Sequence, residues 1–188
     1  MLSEVVLATT TLPHDDDIEK IAHQCGVNVY RGSESNVLSR FAEAANLYGA
    51  EIVVRVCGDN PFIDHEEIDR LINFYINNPC DYAFNHQNRL NSGYADGFGA
   101  EVLNNNLLNE LNDTVLVADE LEHVTLNIWN NQDCFEILPI PVPKELNYPD
   151  LRFDVDIIDD FNYLISLLDK GVKIDSTAEE IIKIAMEQ

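Results

Sequence analysis

Residues 51–64, EIVVRVCGDNPFID, constrain the fold of this chain more than any other stretch. The apolar, β-branched run from Ile52 to Val56 predicts a buried strand. Gly58 and Asp59, followed by Asn60 and Pro61, predict a sharp exit from it. A buried strand that ends on a single carboxylate places that group at the C-terminal edge of a sheet. In open α/β sheets, ligands bind at that edge. Asp59 is therefore the leading candidate for a functional residue.

The remaining pattern supplies the alternation such a sheet needs. A strand is expected over 4–10, then a helix over 15–24 closed by Gly26, then a short strand over 27–30. A helix over 35–48 follows, with Ser35 as its cap and Gly49 as its stop. After the strand ending at Asp59, a helix is expected over 65–77 and a strand over 81–84. Residues 85–99 break this rhythm with Asn and Gly and carry Asp96-Gly97-Phe98-Gly99, which predicts a long loop beside a site. Beyond it, a strand is expected over 99–103, helices over 104–111 and 119–130, and a strand over 135–142 interrupted by Pro139 and Pro141. A last strand over 151–155, a helix over 158–168 and a final helix to Gln188 complete the chain. Ser176 is the expected cap of that final helix, with Glu179 at capping-box spacing. The alternation predicts an α/β fold with a largely parallel sheet. With 188 residues, no internal repeat and no low-complexity linker, a single domain over 1–188 is expected.

Charge narrows the partners. Eleven Lys and Arg against 34 Asp and Glu give a net charge of −23. Such a surface repels nucleic acid and anionic membrane, so neither is an expected partner. Free nucleoside triphosphates are repelled too, and a phosphate ligand needs a local basic loop or a divalent cation. Cys25, Cys57, Cys80 and Cys134 form no C-x-x-C pair, which fits reduced thiols in a cytoplasmic protein better than a zinc knuckle or disulfide framework. Neither a signal-peptide pattern nor a long apolar span is read in the sequence.

Three groups of residues could carry chemistry. Asp59 and Asp156, each expected at a strand end, suit a shared Mg²⁺ that keeps several waters and also takes phosphate oxygens; the alternative is a pair of cap or turn acids. Arg31, Gly32, Ser33 and Arg40 combine scarce basic residues with a glycine and a helix N-terminus, which favours anions; the alternative is a polar turn with surface arginines. Glu122 and His123, expected in mid-helix, offer an acid/base or sugar-hydroxyl site, or else an exposed ion pair. No H-E-x-x-H, nucleophile elbow or Cys–His pattern supports a hydrolase.

The order of these motifs resembles the cytidylyltransferase-like family, in particular its spore-coat polysaccharide biosynthesis (SpsF-type) branch, related to acylneuraminate and Kdo cytidylyltransferases. The resemblance runs through Ala8-Thr-Thr, Arg31-Gly-Ser33, Val37-Leu38-x-Arg40, Arg55-Val-Cys-Gly-Asp59-x-Pro61-x-Ile63-Asp64, Asp96-Gly97, Glu101-Val102, Glu122-His123-Val-Thr125 and Leu151-Arg152-x-x-Val155-Asp156. It implies a Rossmann-like three-layer α/β/α nucleotide-diphospho-sugar transferase fold with a mostly parallel sheet. The implied reaction is CTP plus an acidic sugar giving a CMP-sugar and pyrophosphate, with Mg²⁺, in a protein that is commonly a homodimer. By motif, Asp59 and Asp156 match the catalytic, metal-binding acids. Arg31, Gly32, Ser33, Arg40 and Gly58 match nucleotide-binding positions, and Asn85, Asp96, Gly97, Glu101, Glu122 and His123 match positions near the sugar.

The chain also departs from that family pattern. The family has a strand, a glycine- and arginine-bearing phosphate loop (R-x-G-S-x-R-L-P-G-K) and a helix before the Ala-Thr-Thr strand, whereas Met1-Leu-Ser alone lead into it here. A βαβ unit takes about 30 residues or more, so an N-terminally truncated domain and weak CTP binding are expected. Gly99 stands where the family often has an acid, and Leu126 where it often has proline. The alternatives to an active transferase are a catalytically inactive truncated homologue serving as a binding or oligomerisation subunit, and a glycosyltransferase-like relative on the same fold.

Overall fold

Apolar periodicity becomes alternating strands and helices in the structure, a computed structural model that describes residues 2–187. In chain order the elements are β1 (Val6–Thr10), α1 (Asp16–Gln24), β2 (Asn28–Gly32), α2 (Val37–Leu47), β3 (Ile52–Arg55), α3 (His65–Asn77) and β4 (Tyr82–Phe84). There follow β5 (Glu101–Asn104), α4 (Asn105–Thr114), α5 (Ala118–Glu122), α6 (Leu126–Asn130), β6 (Ile137–Pro139), α7 (Ile158–Asp169) and α8 (Ala178–Met186). The backbone divides into two compact units, Met1–Val53 with Leu103–Glu136, and Val54–Val102 with Ile137–Gln188.

In the first unit, β1 and β2 pair in parallel, from Val6 opposite Asn28 to Thr10 opposite Gly32. Helix α2 buries Leu38, Ala42 and Ala45, and α4 buries Leu108 and Leu111. An amide cluster joins the exposed sides of these helices: Asn46 Nδ2 donates to Asn109 (2.7 Å), and Asn105 Nδ2 donates to Asn46 (2.9 Å). The second unit holds a core of Phe62, Leu71, Phe98, Phe153, Leu167 and Ile181, in which the Phe98 and Phe153 ring centroids lie 4.6 Å apart. Buried Asp64 ties two helices into it. One carboxylate oxygen accepts the Glu66 N–H as the cap of α3, and the other accepts the Ala178 N–H at the start of α8, both at 2.8 Å.

Several expectations shift. Two sheets stand among the described residues where one was expected: β1-β2, and a four-stranded sheet in the order β3-β5-β4-β6. Strand β6 pairs in parallel with β4 at the sheet edge, where Pro139 removes no ladder bond that the sheet needs. The strand expected to reach Asp59 ends at Arg55, because the chain turns there and Asn60 N–H bonds back to the Cys57 carbonyl. No strand forms over 151–155; a single parallel bridge pairs Arg152 with Asp96. The helix expected over 119–130 breaks at His123 into α5 and α6, and Glu120 bridges the break by accepting from Asn127 and Asn130.

Two caps move by one residue. Asn36 rather than Ser35 caps α2, accepting the Ser39 N–H at 2.9 Å. Thr177 with Glu180 forms the capping box of α8, while Ser176 accepts the Lys173 N–H in the preceding turn. The expected reach of α8 to Gln188 lies outside the described residues. Among those residues, no helix is long and apolar enough to cross a membrane.

Candidate active site

The second unit assembles its charged residues around one buried carboxylate. Arg55 stands at the end of β3, Glu101 at the start of β5, and Tyr82 at the start of β4. Glu101 is 2% exposed and accepts hydrogen bonds from Arg55 Nη1 and the Tyr82 hydroxyl. His86 Nε2 lies 3.2 Å from the same carboxylate, within ion-pair range but misaligned for a full hydrogen bond. Burial works against this charge, yet the charges of His86 and Arg55 and the Tyr82 hydroxyl hold the Glu101 carboxyl well below its usual range. Glu101 is thus committed to the protein's own donors.

Asp96 borders this hub in the 85–99 loop. Its backbone is clamped to residues 151–153, since its N–H donates to the Leu151 carbonyl and its carbonyl accepts the Phe153 N–H, both at 3.0 Å. Gly97 makes that approach possible. Its φ is +106°, and an added Cβ would sit 2.7 Å from the Phe153 carbonyl carbon. Burial chiefly, with Asp154 nearby, pushes the Asp96 carboxyl up to about 6. A carboxyl raised above its unfolded value of 3.8 is protonated in the folded state first, so its ionisation costs stability as pH rises from about 4 through about 6. Asp96→Asn removes that titration. Between pH 5 and pH 7.5 the wild type is expected to lose roughly 1 kcal/mol relative to the variant, read from urea unfolding at both values; parallel curves would refute it.

The clamped segment brings in the second expected acid. Arg152 donates through Nε to Asp154 (3.0 Å), and through Nη2 to both Asp154 and Asp156, the latter at 2.7 Å. The Val155 N–H donates to the Asp59 carbonyl at 2.9 Å. This bond joins the Asp59 turn to the residue preceding Asp156, so the structure brings the two segments together although neither acid ends a strand. Both carboxylates and Gly58 are exposed. Two exposed carboxylates fit what Mg²⁺ takes from a protein when waters and substrate phosphates fill its octahedron. Among the described residues, no group of three or more His, Cys, Asp or Glu side chains is placed to hold a metal by itself.

Asn85 is fully buried and its amide is committed. Nδ2 donates to the Glu67 carbonyl (3.0 Å), and Oδ1 accepts the Ala100 N–H (2.9 Å). Gly99 packs against this residue so closely that an added Cβ would overlap the Asn85 carbonyl. The acid common in the family at this position therefore has no room here.

The first unit carries the other candidates. Arg31 donates to Asp16 (2.8 Å), Glu19 (2.7 Å) and the carbonyls of Thr10 (2.6 Å) and Leu12 (2.7 Å), so it pins the turn after β1. Asp15 accepts from the Thr9 hydroxyl and from the N–H and hydroxyl of Thr10. These bonds, the Thr10 hydroxyl foremost, hold its carboxyl below the usual range. Arg40 Nη1 donates to the Ser33 carbonyl (2.8 Å), while its Nε is buried with no hydrogen-bond partner. Gly32 admits the Arg40 stem, whose Cγ would lie 3.2 Å from an added Cβ. Ser33 Oγ accepts the Asn36 N–H (3.0 Å). Glu122 and His123 are exposed at the end of α5, not in mid-helix.

Tyr82, His86 and Asp154 were not singled out from sequence. A signal for the hub existed: Arg55 interrupts the apolar run of 52–56, and Glu101 opens another beside Val102 and Leu103. A lone charge at a buried strand position needs an opposite partner.

This α/β arrangement defines a nucleotide-sugar transferase class of fold, and comparison with known proteins makes it specific. The cytidylyltransferase family profile matches residues 1–169, and the chain belongs to that family. It is 32% identical over 180 residues to the spore coat polysaccharide biosynthesis protein SpsF of Bacillus subtilis, covering 95% of this chain and 72% of that protein. It is 31% identical over 166 residues to an uncharacterized protein of Methanocaldococcus jannaschii, covering 88% of this chain and 66% of that one, just under two thirds of its length. A cytidylyltransferase structure from Leptospira borgpetersenii superposes with a TM-score of 0.88 at 28% identity, covering 97% of this chain and 76% of that one.

Proposed function

We propose that this protein transfers CMP from CTP to a sugar, releasing pyrophosphate, in surface polysaccharide biosynthesis. Membership of the cytidylyltransferase family carries the reading. The Val155–Asp59 bond, which holds the Asp59 and Asp156 segments together, supports it. In the reaction, a sugar hydroxyl oxygen bonds to the α-phosphorus, the bond to the β-phosphate oxygen breaks, and the hydroxyl proton passes to solvent or a carboxylate. Asp59 and Asp156 are the residues that would hold Mg²⁺, which neutralises charge on the triphosphate when bound. Arg152 orients Asp156 by its hydrogen bond. By resemblance, Arg40 and Ser33 of the first unit match nucleotide-binding positions. The resemblance adds two finer points, a homodimer and an acidic sugar as acceptor.

Pyrophosphate release from CTP in the presence of Mg²⁺ and a sugar panel tests the reading. Asp59→Asn and Asp156→Asn are each expected to reduce turnover roughly a hundredfold without shifting the thermal unfolding midpoint, because both side chains are exposed. Full turnover in both variants would remove these acids from the reaction.

A further inference from the structure

The turn that carries Asp156 is held by hydrogen bonds rather than by packing. Asp156 and Ile157 are exposed, and neither side chain belongs to the core of the second unit. Helix α7 begins directly after them, yet its N-cap residue is Ile157, whose apolar side chain accepts no hydrogen bond. Asp160, one turn into the helix, supplies the missing acceptor. Its Oδ2 accepts the Ile157 N–H at 2.9 Å and the Asp156 N–H at 3.0 Å. The first bond is half of a capping box, in which the third helical residue reaches back to the N-cap backbone. The second goes one residue further than a box requires, to the backbone of Asp156 itself.

Asp156 is thereby held at both ends. Asp160 fixes its backbone, and Arg152 Nη2 donates to its carboxylate Oδ2 at 2.7 Å, while Oδ1 accepts no hydrogen bond from any described residue. One residue earlier, the Val155 N–H donates to the Asp59 carbonyl at 2.9 Å. Three consecutive N–H groups, those of Val155, Asp156 and Ile157, thus tie the turn to Asp59 on one side and to α7 on the other. A ligating side chain has to be held to within about 0.5 Å of its working position. Residues that hold a metal ligand without touching the metal change its affinity about 10- to 100-fold when they are lost. Asp160 stands in that relation to Asp156. Among the described residues, no three His, Cys, Asp or Glu side chains are placed to share one ion, so Asp160 does not complete a three-acid site with the pair.

Resting on the reading that Asp59 and Asp156 hold Mg²⁺, we infer that Asp160 is a positioning residue for cytidylyl transfer: its two backbone hydrogen bonds fix Asp156 as a metal ligand, and it acts through that residue alone. The acceptor oxygen of Asp160 is essential to this role and its charge is not.

Metal binding without nucleotide tests this. Mn²⁺, which takes the same oxygen ligands as Mg²⁺, is titrated into the whole chain and the free ion is read by EPR, below the unfolding midpoint of every variant. The site is defined as the binding that Asp156→Asn removes. Asp160→Ala is expected to weaken that site about tenfold or more. Asp160→Asn keeps a carbonyl for the two N–H groups without the charge, and is expected to stay within about threefold of wild type. Glu180→Ala is the control for a lost cap, since Glu180 accepts the Thr177 N–H at 3.1 Å in the capping box of α8, a helix that carries neither metal-binding acid. It should lower the thermal midpoint as Asp160→Ala does and leave Mn²⁺ binding as in wild type. A loss under about threefold in Asp160→Ala, equal losses in its alanine and asparagine variants, or a matching loss in Glu180→Ala overturns the positioning role while the metal reading stands. If Asp156→Asn removes no Mn²⁺ binding, the metal reading itself falls and the positioning role falls with it.

Discussion

Glu101→Ala is expected to lower the unfolding free energy by about 3–5 kcal/mol, the range found when one partner of a buried ion pair is removed. Glu101 is 2% exposed, the Tyr82 hydroxyl beside it is in a fully buried residue, and Arg55 is tied to it across the sheet. Truncation leaves a guanidinium largely out of water without its carboxylate, and a phenol without its acceptor. Glu101→Gln keeps the volume and an acceptor for Tyr82 but loses the charge, so it should fall between wild type and the alanine variant. Replacing both members, as in Arg55→Met with Glu101→Leu, should recover much of the loss, since an apolar pair needs no charge compensation. Urea unfolding of the single and double variants gives the coupling directly. The sign of the pH dependence follows from the lowered Glu101 carboxyl: its contribution is complete above the ordinary glutamate range and is lost as pH falls toward the folded value. The alanine penalty should therefore shrink in acid. A loss below about 1 kcal/mol at pH 7 would show that Glu101 does not hold the hub.

The hub also marks where sequence reading stops. Helix α3 was legible to the residue, because Ile68, Leu71, Ile72 and Tyr75 repeat at helical spacing. The α/β alternation and the long loop over 85–99 were legible for similar local reasons. What failed depended on contacts distant in sequence. Asp59 looked like a strand end because Val56 and Cys57 continue the apolar run, yet the strand stops at Arg55 and the turn is fixed by Val155, far along the chain. Residues 151–155 looked like a strand but are spent on Asp96 and Asp59. Arg31 looked like a phosphate ligand because basic residues are scarce, although Asp16 and Glu19 take up its charge. Periodicity finds a face of an element. It does not find the partner of a charge.

Gly99→Ala is the second large effect, and it arises from space rather than charge. An added Cβ would stand 2.6 Å from the Asn85 carbonyl carbon and closer still to two Asn85 oxygens. Relief requires Asn85 to move, but its N–H donates to the Ala100 carbonyl (3.1 Å), its Oδ1 accepts the Ala100 N–H (2.9 Å), and its Nδ2 donates to Glu67 (3.0 Å). The neighbour that must yield is therefore itself locked by backbone bonds in a fully buried position. Overpacking of this kind costs about 3 kcal/mol, and the variant should unfold at correspondingly lower urea. Gly58→Ala is the matched control beside Asp59: nothing lies within 4 Å of its added Cβ, so its stability should change by less than about 0.5 kcal/mol. Equal midpoints for the two variants would mean that Asn85 yields freely, and that the loop carrying Asp96 and Gly97 is not held from this side.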